Sequence, residues 1–463
     1  MIMTDFSNKK ILILGAARQG LALARYLTNH GAVVTINDKR MSNELLEEQF
    51  SLVDLEVEWV LGAHYSSLLN DKDIVCLSGG IPLSLPIVRE AQRRGIPLSN
   101  DTQIFLEAVP CRTIGITGSA GKTTTTTLVG RMAQEAFGKT ENKVWIGGNI
   151  GDPLLNYVDE MKKDDLAILE ISSFQLDQMS ISPDIAVVLN VTPNHLDRHE
   201  TMEAYTAAKA RILKNQKADD IAIVGRDDEG AWEMRNLSPG TLFTFGSKPL
   251  VKGESGSYPL SDYFYFRDDR MDVQLIASKS VQLRGSHNVQ NVLAACTIAI
   301  VAGIPSQAME AALKDFYGVE HRLELVRTWK GVSWYNDSIA TAPERSMAAV
   351  RSFDEPVVLV LGGRDKNLPW NSLAELIRQR VDHVVLFGEA AQKIAATLGG
   401  HRQGERPYTI SHCIGLKDAV EAAAKVAEKG DVVLLSPGGT SFDEFKDFAE
   451  RGESFRKWVL ELS

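Results

Sequence analysis

A lysine and two threonines close a glycine-containing turn in the first third of the chain. The turn follows an apolar strand pattern at residues 113–117 and reads Gly118, Ser119, Ala120, Gly121, Lys122, Thr123, Thr124. Backbone N–H groups in such a turn, together with the start of the next helix, favour an anion. Lys122 adds a full positive charge, and the Thr123 hydroxyl can reach a Mg²⁺ ion bound to phosphate. These residues predict a cradle for a nucleoside triphosphate.

The turn departs from the strict phosphate-loop pattern G-x4-G-K-[ST]. Ile116 occupies the first position of that pattern, and Gly115 lies one residue too early. An ordinary turn between a strand and a helix, with no ligand, is therefore the alternative interpretation. The order of strand, glycines, lysine and threonine favours the phosphate site.

Two further strand patterns end in, or are soon followed by, a residue of a type that can bind a metal ion. Glu170 ends the apolar run 165–170, and His195 follows the apolar run 185–190. Ligands of parallel sheets gather at the carboxyl ends of the strands. A carboxylate there suits Mg²⁺, and the alternative is an acid that only caps the next turn. For His195 the alternative is a surface histidine.

The elements that position these groups alternate between short apolar strands and helices. This alternation predicts the α/β class with mostly parallel sheets, and the length of 463 residues exceeds one core. We predict three domains. Residues 1–108 form a Rossmann-like domain, residues 109–316 a central nucleotide-binding domain of the phosphate-loop type, and residues 317–463 a second Rossmann-like domain.

The first domain carries a glycine pattern of its own. Gly15, Ala17 and Gly20 stand at the fingerprint positions of a dinucleotide site, and Asp38 follows Gly20 by 18 residues. The methyl group of Ala17 obstructs the close approach of a pyrophosphate. A dinucleotide site and a plain turn without ligand both stay open at this point.

Composition excludes several classes of protein. The net charge of −10 argues against a nucleic-acid partner. The four cysteines stand far apart without a C-x-x-C pair, which favours a reducing compartment. The longest apolar run falls short of the roughly 20 residues that span a bilayer. We therefore expect a cytoplasmic enzyme with no membrane partner.

The turn also matches T-G-x-x-G-K-[ST], which resembles the ATP loop of the Mur ligase family and of the related folylpolyglutamate synthases. Four more motifs of that family occur in order along the chain: E-x-S-S-F-Q-L at 170–176, Y-x-x-x-K at 205–209, G-x-H-N-x-x-N at 285–291 and H-R-x-E at 321–324. The resemblance covers nearly the whole chain.

The resemblance implies an amide ligase that uses ATP and two Mg²⁺ ions. Its catalytic residues would be Lys122, His195, Lys209 and Arg322. Thr123 and Glu170 would hold one metal ion, and His195 and Lys209 the other, with Lys209 as a carbamate. From its pattern alone, Lys209 would be a surface lysine on a helix over 200–214. The resemblance also implies that Asn288, Asn291, Arg322 and Asp337 contact ATP.

The resemblance further implies two small-molecule substrates. The first domain would bind the UDP part of one substrate, with Asp38, Lys39 and Arg40 facing uridine and diphosphate. Gly80, Asn149 and Ser172 would be further substrate-binding residues. The run 435–448 resembles the family members that add D-glutamate to UDP-N-acetylmuramoyl-L-alanine, so that Thr341, Lys366, Ser441 and Phe448 would hold D-glutamate. We expect a monomer.

This chain departs from the family pattern at two positions. Ile339 stands where the D-glutamate-adding members have a lysine, and we expect Arg345 or Arg364 to supply the missing charge. Gly79 stands where the family usually has proline. In addition, the glycine-rich run 147–151 is predicted to be a loop, and residues 253–267 a hairpin-like excursion.

Two other classes of enzyme stay as alternatives. A folylpolyglutamate synthase lacks the N-terminal Rossmann-like domain that this chain carries. An NAD-dependent oxidoreductase, inferred from the first glycine pattern, leaves the phosphate loop unexplained. Turnover of ATP that depends on both predicted substrates separates the three.

Overall fold

The N-terminal sheet is parallel and has five strands in the order β3-β2-β1-β4-β5. The computed structural model describes residues 5–138, 140–194, 196–314, 316–399 and 404–463. The strands and helices of this region are β1 (Lys10–Leu14), α1 (Arg18–Asn29), β2 (Val33–Asp38), α2 (Leu46–Phe50), β3 (Val57–Leu61), β4 (Ile74–Leu77), α3 (Pro86–Arg93), β5 (Leu98–Ser99) and α4 (Asp101–Ala108). The strand order reverses between β1 and β4, which is the position where such sheets bind ligands.

The central sheet has nine strands in the order β14-β13-β12-β11-β10-β9-β6-β8-β7. Strand β13 runs antiparallel to its neighbours β12 and β14, and the other neighbouring strands pair in parallel. Its elements are β6 (Arg112–Thr117), α5 (Lys122–Phe137), β7 (Val144–Gly148), β8 (Leu166–Glu170), α6 (Ser173–Leu176), β9 (Ile185–Val188), α7 (Leu196–His199), α8 (Met202–Lys214), β10 (Ile221–Gly225), α9 (Glu229–Trp232), β11 (Thr241–Phe245), β12 (Gly256–Leu260), β13 (Tyr263–Arg267), β14 (Asp272–Ala277), α10 (Ser286–Val301) and α11 (Ser306–Leu313). The core strands β6, β8 and β9 lie side by side, so their carboxyl ends meet at one edge.

The glycine-rich run 147–151 corrects one prediction. Gly147 and Gly148 are not loop residues, because they form the end of β7, which pairs with β8. Gly148 has a φ of +97°, and a Cβ atom there would lie 2.4 Å from the carbonyl oxygen of Glu170. The glycines therefore permit the edge strand to approach the residue that ends β8.

The C-terminal sheet has six strands in the order β15-β16-β20-β17-β18-β19, and only the pair β15–β16 is antiparallel. Its elements are β15 (Glu324–Trp329), β16 (Val332–Asn336), α12 (Pro343–Val350), β17 (Val357–Gly362), α13 (Asn371–Arg380), β18 (Val381–Phe387), α14 (Ala391–Leu398), β19 (Thr409–His412), α15 (Leu416–Val426), β20 (Val432–Gly438) and α16 (Phe448–Glu461). The sequence did not predict the edge hairpin β15–β16.

The three sheets confirm the predicted α/β class with three domains. The first two sheets lie in one compact unit and the third in another, and the predicted domain boundaries stay predictions. In the described ranges, no helix has both the length and the apolar composition needed to cross a membrane. All four cysteines are free thiols.

Candidate active site

The phosphate loop connects β6 to α5, as the sequence predicts. Gly121 caps the helix with a φ of +84°, a conformation that favours glycine. The Nζ atom of Lys122 donates to the carbonyl oxygen of Gly118 at 2.9 Å, across the turn. The amides of the first turn of α5 have no acceptor inside the helix. The loop therefore combines helix amides with an ammonium group, as an anion site requires.

Asn190 holds this loop in shape. Its backbone oxygen accepts from the Ser119 amide at 3.0 Å, and its Oδ1 atom accepts from the Ala120 amide at 2.8 Å. Its Nδ2 atom donates to the Ala120 carbonyl oxygen at 3.1 Å. The sequence did not single out Asn190, because its role depends on β9 lying beside β6. Two loop amides are thus engaged by protein, which leaves the beginning of α5 to face a phosphate.

Glu170 joins the loop to the end of β8. Its side chain is 2% exposed, and one oxygen accepts from the Thr123 hydroxyl at 2.8 Å. The other oxygen accepts from the Asn149 Nδ2 atom at 3.0 Å. A carboxylate and a hydroxyl in contact are a fitting donor set for Mg²⁺, which prefers oxygen ligands. The structure thus brings the two predicted ligands of the first metal ion together.

Lys209 lies under the phosphate loop, and the prediction of a surface lysine from pattern alone is wrong. Its side chain, on α8, is 1% exposed. The Nζ atom donates to the Gly118 carbonyl oxygen at 3.0 Å and to the Thr117 hydroxyl at 3.3 Å. Burial lowers the pKa of Lys209 well below its usual value, the charge of Lys122 lowers it further, and Glu170 opposes both. The Gly118 oxygen therefore accepts from two lysines.

Asn288 and Asn291 lie on one face of α10, as predicted, and both are buried. The Asn291 Nδ2 atom donates to Asn288 Oδ1 at 2.9 Å. A Cβ atom at Gly121 would lie 2.2 Å from Asn291 Oδ1. The predicted adenosine contacts therefore adjoin the phosphate loop. His195, the other predicted metal ligand, lies outside the described residues.

The predicted UDP residues at the end of β2 bind one another. One oxygen of Asp38 accepts from the Ala16 amide at 2.8 Å, and Arg40 donates to both carboxylate oxygens at 3.1 Å. Burial alone would raise the pKa of Asp38, but the hydrogen bonds from Arg40 and from Ala16 hold it at about 2. Asp38 thus holds the glycine turn, whereas Lys39 is exposed.

The loop that carries Gly80 joins β4 to α3 and contacts Arg198 of the central region. The Gly79 amide donates to Gln19 Oε1 at 2.9 Å, and a Cβ atom at Gly79 would lie 2.4 Å from that oxygen. Arg198 approaches the Gly79 carbonyl oxygen at 3.5 Å and stacks on the Phe174 ring, 3.9 Å from its centroid. Proline has no N–H to donate, so Gln19 accounts for the departure at Gly79. Ser172, another predicted substrate residue, is half-buried and caps α6.

Asp337, one of the predicted ATP contacts, lies directly after β16 in the C-terminal unit. It is buried at the end of β16 and accepts from the Ser436 hydroxyl at 2.8 Å and the Leu323 amide at 3.3 Å. Burial raises the pKa of Asp337 to about 7, against the opposing charges of Arg322 and Arg345. An acid with this pKa changes its charge near neutral pH.

The two arginines expected to replace the missing lysine differ. Arg345 donates to the carbonyl oxygen of Ile339 at 3.2 Å. Burial lowers the pKa of Lys366, and the charge of Arg345 lowers it further. Arg364 instead forms an ion pair with Glu389 at 3.0 Å. Arg345 is therefore the arginine whose charge acts on a predicted D-glutamate residue, whereas the Arg364 side chain is engaged by Glu389.

Arg451 holds the loops that carry the remaining predicted residues, and the sequence did not predict it. It is fully buried and donates to the Ser338 carbonyl oxygen at 2.8 Å and the Gly439 carbonyl oxygen at 3.1 Å. The Ser338 hydroxyl donates to the Phe448 carbonyl oxygen at 2.7 Å. The loops of Thr341, Ser441 and Phe448 are thus connected through Ser338 and Arg451.

Three family models match successive parts of the chain. The Mur ligase MurD-like N-terminal domain matches residues 9–100, and the Mur ligase middle domain matches residues 116–299. The Mur ligase glutamate ligase domain matches residues 321–439. The matches follow the same order as the three sheets.

Relatives match over almost the full length. The UDP-N-acetylmuramoylalanine–D-glutamate ligase of Koribacter versatilis is 37% identical over 460 residues, which are 99% of this chain and 99% of that protein. The ligase of the same name from Acetivibrio thermocellus is 38% identical over 455 residues, 98% of this chain and 96% of that protein.

Solved structures share the fold at lower identity. The UDP-N-acetylmuramate–alanine ligase of Thermotoga maritima matches with a TM-score of 0.56 and 18% identity, over 98% of this chain and 99% of that one. The MurF ligase of the same organism, in complex with ADP, matches with a TM-score of 0.55 and 18% identity, over 99% and 97%. With the motifs, the family models and the relatives in agreement, the chain belongs to the Mur ligase family.

Proposed function

We propose that this protein is an ATP-dependent ligase that joins D-glutamate to UDP-N-acetylmuramoyl-L-alanine in peptidoglycan precursor synthesis. The observation that carries the proposal is the 37% identity, over 99% of both chains, with the D-glutamate ligase of Koribacter versatilis. The phosphate loop and the Thr123–Glu170 pair support the use of ATP.

The reaction needs ATP because a carboxylate is a poor electrophile. The alanine carboxylate attacks the γ-phosphorus atom, an acyl phosphate forms and ADP leaves. The neutral amine of D-glutamate then attacks the acyl carbon, phosphate leaves and the nitrogen loses a proton. Lys122 and the first amides of α5 offset charge on the transferring phosphoryl group. Mg²⁺, when bound at Thr123 and Glu170, neutralises phosphate charge.

We propose that Lys209 works as a carbamate. Its amine is desolvated and lies beside the Lys122 ammonium group, which favours the neutral, nucleophilic form. Addition of CO₂ forms an N–C bond and releases a proton, which leaves an anionic group with two oxygens. Such a group suits a second Mg²⁺ ion, whereas an ammonium group would repel it.

Chemical rescue tests the carbamate. Lys209→Ala is expected to lose activity by about a hundredfold or more, and short-chain carboxylic acids are expected to restore part of it. Lys214→Ala, an exposed lysine on the same helix, is the matched control. Electron density for an unmodified Lys209 in the active, metal-loaded enzyme would contradict the proposal.

We propose that Arg345 supplies the positive charge that Ile339 lacks. It donates a hydrogen bond to the Ile339 carbonyl oxygen, and its charge lowers the pKa of Lys366. Arg364 is instead paired with Glu389. Arg345→Met is expected to raise the KM for D-glutamate about tenfold. Arg364→Met is the matched control with little expected change. Equal kinetics in both variants would contradict the assignment.

One assay separates the three candidate classes of enzyme. ADP release that needs both UDP-N-acetylmuramoyl-L-alanine and D-glutamate supports the proposed reaction, with the dipeptide product identified by mass spectrometry. ADP release that needs a folate substrate would indicate a folylpolyglutamate synthase instead. Hydride transfer from NADH would indicate an oxidoreductase. The cytoplasmic location and the monomeric state stay predictions, which cell fractionation and light scattering test.

A further inference from the structure

His64 lies at the carboxyl edge of the N-terminal sheet, in the loop after β3. It is half-buried and contacts Asn37 of β2, the residue before Asp38. Ligands of parallel α/β sheets bind at this edge. The first glycine pattern and the resemblance to known ligases left His64 without a role.

Asn37 fixes which nitrogen of His64 carries a proton. The Asn37 Nδ2 atom donates to the carbonyl oxygens of Val60 at 2.7 Å and Ala63 at 2.8 Å. Its Oδ1 atom therefore faces His64, 2.6 Å from Nδ1. An amide oxygen only accepts, so Nδ1 of His64 is the donor. In the neutral ring, Nε2 is then an acceptor.

The surroundings favour the neutral ring. Burial lowers the pKa of His64, Lys39 lowers it further, and Asp38 opposes both. Within the described residues, the ring nitrogens form one hydrogen bond, that from Nδ1 to Asn37. The fold thus holds an acceptor of fixed orientation at the edge of the predicted UDP domain.

We propose that Nε2 of His64 accepts a hydrogen bond from the N3–H group of uracil and selects a uridine nucleotide. The inference rests on the proposed function, in which this domain binds the UDP part of the substrate. Uracil has a donor at N3, whereas cytosine has an acceptor there. An acceptor on the protein therefore attracts one base and repels the other.

Calorimetry with the intact protein and three nucleotides tests the proposal. UDP, CDP and 3-methyl-UDP are titrated against the wild type, His64→Asn and His64→Gln. Asparagine can keep the contact with Asn37 but has no group at the Nε2 position, whereas glutamine can place an amide oxygen near it. The wild type is expected to bind UDP about tenfold more tightly than 3-methyl-UDP or CDP.

The substitutions should act on discrimination rather than on folding. His64→Asn is expected to reduce the preference for UDP to within about twofold, and His64→Gln to restore part of it. Unchanged preference in His64→Asn, with an unchanged melting temperature and KM for ATP, would overturn the proposal. If the affinity of the wild type falls with 2′-deoxy-UDP but not with 3-methyl-UDP, Nε2 of His64 contacts the ribose and not the base. That result would also overturn the proposal.

Failure of the proposed function gives a different result. Wild-type protein that neither ligates D-glutamate nor binds UDP contradicts the function itself, before any variant is made. Wild-type protein that ligates D-glutamate but shows no base preference contradicts only the role of His64.

Discussion

The N-terminal and central sheets each carry a glycine turn after their first strand, and the same kind of contact holds both turns. Asp38 Oδ2 accepts from the Ala16 amide at 2.8 Å in the first turn. Asn190 Oδ1 accepts from the Ala120 amide at 2.8 Å in the second. The geometry is shared, but the first acceptor is a carboxylate and the second is an amide.

This difference in charge decides which turn suits a triphosphate. The Asp38 carboxylate has a pKa of about 2, so it is negative at neutral pH and is paired with Arg40. A phosphate beside Ala16 would meet that charge. Asn190 is neutral, and Lys122 adds positive charge to its turn. A glycine pattern alone therefore does not identify a nucleotide site, because the side chain behind the turn sets the potential.

Removal of the Lys122 charge should have the largest effect. Lys122→Ala is expected to lower ligation by about a thousandfold, since an ammonium group no longer offsets the charge on the phosphoryl group. Binding of the UDP substrate, measured by calorimetry, should change less than about twofold, because the proposed UDP site lies in the N-terminal domain and not at the phosphate loop. Equal loss of UDP-substrate affinity would contradict this division. Lys39→Ala, which removes a charge from the N-terminal domain, is the converse control and is expected to leave the KM for ATP unchanged.

Replacement of Asn190 by aspartate gives the second turn the acceptor of the first. Asn190→Asp keeps an oxygen for the Ala120 amide but adds a negative charge beside the predicted phosphate site. The KM for ATP is expected to rise about tenfold to a hundredfold. Asn190→Ala removes the hydrogen bond without adding charge and separates the two effects. A smaller change in the aspartate variant than in the alanine variant would refute the charge argument.

Strands buried on both faces were the most predictable part of the fold. The strand predicted from the apolar run 185–190 agrees with β9 (Ile185–Val188), because a strand buried on both faces is a continuous apolar run. The hairpin β15–β16 was not predicted, since β15 is only half-buried and mixes polar with apolar residues. Gly147 and Gly148 were placed in a loop because glycine is a poor strand former, although close packing against Glu170 requires it.

The residues of the candidate sites also divide into those that the sequence could predict and those that it could not. The placement of Lys122, Thr123 and Glu170 at the phosphate loop was predictable because it follows from local order after a strand. Asn190, His64 and Arg451 act through neighbours that are distant in sequence, and no spacing reveals such contacts. Lys209 shows the limit best, because its pattern indicates an exposed lysine, whereas in the fold it is buried and contacts the phosphate loop.

Gly79→Pro should weaken binding of the UDP substrate by the N-terminal domain and leave ATP binding at the phosphate loop unchanged. Proline removes the amide that donates to Gln19 Oε1, and its ring would collide with that oxygen. The KM for the UDP substrate is expected to rise roughly tenfold, with the KM for ATP unchanged. Gln19→Ala removes the same hydrogen bond from the other side. If the contact matters, the double variant should be no worse than Gly79→Pro, and additive losses would disprove the link.

Asp38→Asn makes the first turn resemble the second, and we expect its effect to be on stability. Asparagine can still accept from the Ala16 amide, so the turn is kept, but the charge pairing with Arg40 is lost. The folded pKa of Asp38, about 2, lies below its ordinary value of 3.8. Its contribution to stability is therefore present above pH 4 and is lost as the pH falls towards 2. On that basis the variant should be less stable at pH 7 by on the order of 2 kcal/mol, with the difference shrinking towards pH 2. Urea unfolding of both proteins at several pH values measures this. Parallel curves for wild type and variant would show that the Asp38 charge does not hold the turn.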